Sequence, residues 1–254
     1  MIYSKLLCEY LVTEGVNDKF KVDDSPSSGP YTITIPAGRY RDAIALAAQI
    51  QSEVTTCGIS ASITAAVSNT TGLLALTGDA AWTIDWDTST YGTTLRDDLG
   101  FSGSESMSSN VLTATSQVVG SFYPTEPVEA DDRPDEDGTD RWDSDTQQQE
   151  GRTGLIATKG GSTTFKRRSI TLLLPQSDLP AFVSFMERAA QGYSFAFYHD
   201  RTEDWDGPSD EYQQYKLRAE GESGIPYDPE RVDPANTLWH RATLAMAQYV
   251  APSA

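Results

Sequence analysis

Hydrophobic and polar positions along the chain follow two periods, two residues and three to four, and the switches between them mark the predicted elements. Lys5–Val12 reads as a strand. Tyr31-Thr32-Ile33-Thr34-Ile35 alternates β-forming residues and stops at Pro36-Ala37-Gly38. The period then lengthens. Tyr40, Ala43, Ile44, Ala47, Ile50 and Val54 recur at spacings of three and four, one face of an amphipathic helix over 40–55. Asp42 falls in its first turn, where a negative charge suits the helix dipole, and Gly58 follows its end. Ile59–Val67 and Leu73–Thr77 flank Ser68-Asn69-Thr70-Thr71-Gly72 as a hairpin. Trp82, Ile84 and Trp86 line one face of a further strand, and Leu95–Phe101 predicts a short helical turn closing at Gly100-Phe101. The Ser/Thr-rich stretch 104–116 predicts little structure of its own.

The second half repeats the pattern. Phe165–Leu174 predicts a strand that begins basic and ends apolar before Pro175. Ser177 or Asp178 then caps a helix over 178–190, with Pro180 tolerated in its first turn. Leu179, Phe182, Val183, Met186 and Ala190 form its expected buried stripe, and Gly192 ends it. Tyr193–Tyr198 predicts an aromatic strand, 207–234 a turn-rich excursion, and Leu238–Val250 a long strand with Leu238, Ala242, Leu244, Met246 and Val250 on one face. The expected fold class is α+β, mainly antiparallel β, as two β-rich units each with one short amphipathic helix.

Charge sharpens the division. The 254 residues carry 37 acids and 19 bases, a net charge of −18. Residues 1–125 are net −7, residues 126–150 net −9, and residues 151–254 net −2. Half the net charge thus sits in a short stretch with Pro127, Pro134 and Gly138 and almost no apolar side chain, which predicts a solvated acidic linker or insertion between units at 1–125 and 151–254. A surplus of acid disfavours direct binding of nucleic acid or an anionic membrane surface. No run reaches the roughly 18 apolar residues of a spanning helix, and Ile2–Val12, interrupted by Lys5 and Glu9, does not read as a signal segment. These features predict a soluble chain made in the cytoplasm. Cys8 and Cys57 are expected reduced and buried.

Candidate chemistry is sparse. No nucleophile elbow, Walker loop, dinucleotide fingerprint or paired-histidine metal motif is present, and no cofactor is expected. His199 beside Asp200 and Asp204 fits a carboxylate-oriented general base, a mononuclear metal site or a polar loop after a strand, with no nucleophile to complete the first. His240, inside an alternating strand, reads as structural. Asp135, Asp137 and Asp140 alternate around a Gly turn as calcium ligands can, or belong to a plain acidic linker. Trp82, Trp86, Tyr91, Trp142, Trp205, Tyr212, Tyr215 and Trp239 offer either core and subunit contacts or faces for a sugar. Among them Trp205 and Tyr212, set among acids and glycines, are the candidates for an exposed interface. Lys166-Arg167-Arg168 is the only local basic run. It blunts an edge strand, or it meets the acidic segment (Asp131, Asp132, Asp135, Asp137) of the same or a neighbouring copy, as opposite patches in a repeating assembly would.

Two stretches carry a resemblance. YTITIPAGRYRDAIALAAQI, the ITAAV…TGLLALTG hairpin and LRDDLGF resemble a turn–helix–hairpin module of tailed-phage virion proteins. FKRRSITLLLPQSDLPAFVSFMERAAQGYSFAFYHDRTEDW, closed by TLWHRATLAMAQYV, is similar to the basic strand, short helix and aromatic strand of distal tail and tail-tip proteins. The resemblance implies a non-enzymatic structural subunit of the virion tail, a homo-oligomer forming a ring, six-fold in that family. Such a ring joins the tail tube to the host-facing tip, with tube and hub proteins as partners. Two other classes stay open: a carbohydrate-binding or adhesion module, and another virion part such as tail tube, tail completion or head decoration protein. A hydrolase built on His199 is a third expectation.

Overall fold

The computed structural model describes residues 5–24, 30–124, 141–150, 156–198, 214–217, 230–233 and 236–249. In chain order its elements are β1 (Lys5–Cys8), β2 (Tyr10–Val12), β3 (Lys19–Asp23), β4 (Tyr31–Thr34), β5 (Gly38–Tyr40), α1 (Ala43–Thr56), β6 (Ile63–Val67), β7 (Leu74–Asp85), α2 (Thr88–Tyr91), α3 (Thr94–Asp98), β8 (Ser106–Thr113) and β9 (Ser121–Phe122). There follow β10 (Arg141–Glu150), β11 (Ile156–Pro175), α4 (Leu179–Ala190), β12 (Phe195–Tyr198), β13 (Gln214–Leu217), β14 (Glu230–Asp233) and β15 (Asn236–Tyr249). The fold is mainly antiparallel β with few short helices, in line with the expected α+β class. A five-stranded sheet runs β4-β3-β7-β6 with β8 on β7, and an eight-stranded sheet runs β10-β11-β15-β13-β12-β1-β9 with β14 on β15. A two-stranded pair, β2-β5, completes the sheets.

The first sheet is organised by β7. Its N-terminal half forms the expected hairpin with β6, in the register Val67↔Leu74, Ala65↔Leu76 and Ile63↔Gly78. The connecting turn is closed by Ser68 N–H to the Leu73 carbonyl (2.9 Å) and Gly72 N–H to the Ser68 carbonyl (2.8 Å). The strand then continues into the segment expected as a separate strand, and Trp82, Ile84 and Trp86 are all buried, as their alternation requires. Residues 106–113, expected to be weakly structured, form β8 along β7. The ladder with β7 outweighs the poor intrinsic preference of a Ser/Asn-rich stretch.

Helix α1 covers this sheet. Asp42 is its N-cap rather than a first-turn residue, accepting the Ala45 N–H at 2.8 Å. Ala43, Leu46, Ala47, Ile50 and Val54 bury the stripe, while Tyr40 belongs to β5. Ile44 turns toward a different cluster, described below. The LGF segment closes as read: α3 ends at Asp98 with Leu99 as its C-cap, and Gly100 adopts φ +82° where a Cβ would lie 2.1 Å from the Ser116 carbonyl oxygen.

Helix α4 packs on the second sheet. Its buried stripe is Phe182, Phe185, Met186 and Ala189; of the expected positions, Leu179 and Val183 are only part-buried and Ala190 is exposed. The helix is rotated toward β1, β9 and β12, where aromatic edges meet. Phe182 lies edge-on to Phe122 at 5.3 Å and Phe185 edge-on to Phe195 at 5.2 Å. Leu6, Cys8, Leu172, Leu174, Ala242 and Leu244 complete this core.

Strand β1 serves both cores. Lys5, Leu6, Leu7 and Cys8 are all essentially inaccessible. Leu6 and Cys8 face α4, while Leu7 joins Tyr123 and Ala196 against Ile44 of α1 and Val67 of β6. The expected strand 5–12 therefore divides at Glu9, and its first part pairs with β12 and β9 in the eight-stranded sheet. Two strands from residues 1–125 thus lie in the sheet that holds the strands of 151–254. Within the stretch expected as an acidic linker, residues 141–150 are a strand, β10, paired with β11.

Candidate functional site

Two features stand out: a hairpin that leaves the large sheet, and a polar junction where the cores meet. The hairpin is read from register. β15 pairs with β11 over Arg167–Pro175, whereas β10 pairs with β11 over Ile156–Arg167, so the two ladders overlap only at Arg167. Beyond that point β10 and the first half of β11 form a ribbon of two strands. Its ten β10 residues would extend about 30 Å at roughly 3.3 Å per residue. Among the described residues β10 pairs with β11 alone, so it is an open edge.

The basic run Lys166-Arg167-Arg168 sits where the ribbon leaves the sheet. Trp142 is opposite Lys166, Arg141 opposite Arg167, and Met246 opposite Arg168. The other members of the expected interface, Asp131, Asp132, Asp135, Asp137, Trp205 and Tyr212, lie outside the described residues, as do Asp140, His199, Asp200 and Asp204. The basic cluster is therefore placed and its acidic counterpart is not.

The junction is built around the break at Glu9. There the chain turns out of β1 into β2, and Glu9 N–H donates to the Ser194 carbonyl at 2.8 Å while Ser194 N–H donates to Glu9 Oε1 at 3.1 Å. Arg39, on β5, donates to the same oxygen at 2.5 Å. This buried carboxylate thus ties β5 to the segment between α4 and β12. One residue on, Tyr10 donates its hydroxyl to Asp98 Oδ2 at 2.7 Å and accepts from Asn17 Nδ2 at 3.1 Å. Burial first, and then the neighbouring Asp98 charge, push the Tyr10 phenol above its ordinary range, so it stays neutral. Burial likewise pushes the Cys8 thiol up, leaving no reactive thiolate; Cys57, also free, is half-buried at the end of α1 rather than buried as expected.

Arg188 fills the space between these groups. Its guanidinium lies 4.4 Å from the Tyr193 ring centre and 5.3 Å from that of Tyr10. Its stem passes over Gly120, where a Cβ would lie 2.9 Å from Arg188 Cδ and 3.0 Å from Cys8 Cβ. Glu9, Arg39, Arg188 and Tyr193 were not legible as a group, because the fold brings them together from distant parts of the chain. One signal was present: Lys5 and Glu9 interrupt an otherwise apolar run.

Other candidate residues are structural. Trp82 and Trp86 are in the core and are not available to a sugar. His240 is buried and hydrogen-bonded to Gln176 Oε1 at 2.7 Å. Among the described residues no group of three or more His, Cys, Asp or Glu side chains is placed to hold a metal ion, and no helix is long and apolar enough to cross a membrane. Comparison with family models, curated proteins and solved structures finds no match to this chain.

Proposed function

We propose that the chain is a structural subunit of a phage tail, a distal tail or tail-tip protein that works by packing rather than by turnover. In this reading it assembles as a ring, six-fold by the resemblance of its two sequence modules. The ring lies in the virion tail between tube and hub.

The observation that carries the proposal is the β10–β11 ribbon. Among the described residues the ribbon has no third strand; two strands alone are marginal in water, and an open strand edge is a template for pairing with another chain. A ribbon of this length, flanked at its base by the basic run, is better suited to a neighbouring subunit than to solvent. The acidic segment that precedes it supplies charge of the opposite sign, which would fix orientation between copies. Repetition of one such heterologous contact around an axis closes a ring.

Sedimentation velocity and negative-stain microscopy of the purified chain test this. A closed oligomer supports the reading, and a monomer at all concentrations refutes it. Replacing Lys166, Arg167 and Arg168 together by Glu leaves the subunit folded and abolishes assembly. Normal rings from that variant would remove the basic run from the contact.

A further inference from the structure

We propose that Arg188 is a receptor for a carboxylate of a neighbouring copy of the chain, a second contact that rests on the ring reading above. The starting point is an exception. Among arginines whose side chains are described, Arg39 holds Glu9 at 2.5 Å, Arg41 holds Asp42 at 3.0 Å and Arg96 holds Asp97 at 2.9 Å. Arg188 has neither a hydrogen bond nor an ion pair among the described residues, in a chain with 37 acids to 19 bases. The acids closest in the network are committed: Glu9 to Arg39 and the Ser194 N–H, Asp98 to Tyr10.

The geometry suits a receptor. Two aromatic rings hold the planar guanidinium, and the stem is wedged on Gly120, so little side-chain freedom remains to be lost on binding. Arg188 is half-buried, and its Nε is buried without a hydrogen bond among the described residues. A guanidinium held between two rings and left without an ion pair among the described residues matches a carboxylate with two parallel N–H···O bonds. In an assembly of copies that are each −18, the anion facing it is an Asp or Glu of the adjoining subunit.

The test has two arms. Sedimentation of R188Q, checked for wild-type thermal unfolding of the subunit, is expected to raise the concentration of half-assembly by about tenfold, the value of one charge-assisted contact. In the second arm R188K is assembled from equal parts of normal and nitrogen-15-labelled protein. A carbodiimide then joins amines to touching carboxylates. Mass spectrometry is expected to find position 188 linked to an Asp or Glu of the other isotope. This arm carries the test if R188Q does not fold. Links only within one copy, no link, or unchanged assembly of R188Q overturns the inference and leaves the ring reading standing. A monomeric wild type overturns both.

Discussion

At the scale of single residues, two sites make sharp claims. Gly120 combines φ +78° with an Arg188 stem 2.9 Å from the position of a Cβ. Gly120→Ala therefore adds left-handed strain to overpacking and should cost about 2–4 kcal/mol, read from the urea midpoint. The second site is Asp87, the one non-glycine residue with positive φ among those described (φ 44°). The Lys21 ammonium at 2.5 Å, aided by Thr90 and Ser89, lowers its carboxyl from 3.8 to about 2. Its folded value lies below the unfolded one, so the unfolded chain binds more protons between them. The stabilisation is complete above about pH 4 and is lost as pH falls through about 2. Asp87→Asn keeps a side chain that tolerates this backbone. The stability gap between wild type and variant should shrink on going from pH 5 to pH 2.5, and also in 1 M NaCl. A gap that widens toward low pH contradicts the assignment.

Elements differ in how far the sequence displayed them. Helix α1, the β6–β7 hairpin and the buried alternation Trp82, Ile84, Trp86 were legible because each rests on a local period. Strands β8 and β10 were not, since Ser, Asn, Asp and Gln carry no strand signal and their state is set by the partner strand each pairs with. The stripe of α4 was legible in period and wrong in phase, because Phe185 and Ala189 are chosen by β1, β9 and β12, not by the helix. The junction was hidden for the same reason, with only Lys5 and Glu9 as a trace. Capping gives a local test: Asp42→Ala should cost about 1 kcal/mol. Strand β1 gives a global one. Leu7 is fully buried between the cores, and Leu7→Ala should cost about 3–5 kcal/mol. It should do so in one unfolding transition followed equally by near-ultraviolet dichroism and tryptophan fluorescence. Two separated transitions would show that β1 does not couple the cores.

For the whole molecule, the ribbon, the basic run at its base and Arg188, which has no ion pair among the described residues, are each suited to contact with another copy. The uneven charge acts in the same direction: Lys166-Arg167-Arg168 is the only local basic run on a chain of net −18. Removing the ribbon by replacing 143–164 with a short Gly-Ser turn should leave thermal unfolding of the subunit nearly unchanged and abolish assembly, because the strands β11 shares with β15 begin at Arg167. The most direct measurement is sedimentation velocity of the wild-type chain across a range of concentrations near physiological salt, with images of the largest species. The account requires a discrete closed ring that dissociates as salt is raised. A single monomeric boundary at every concentration would contradict it.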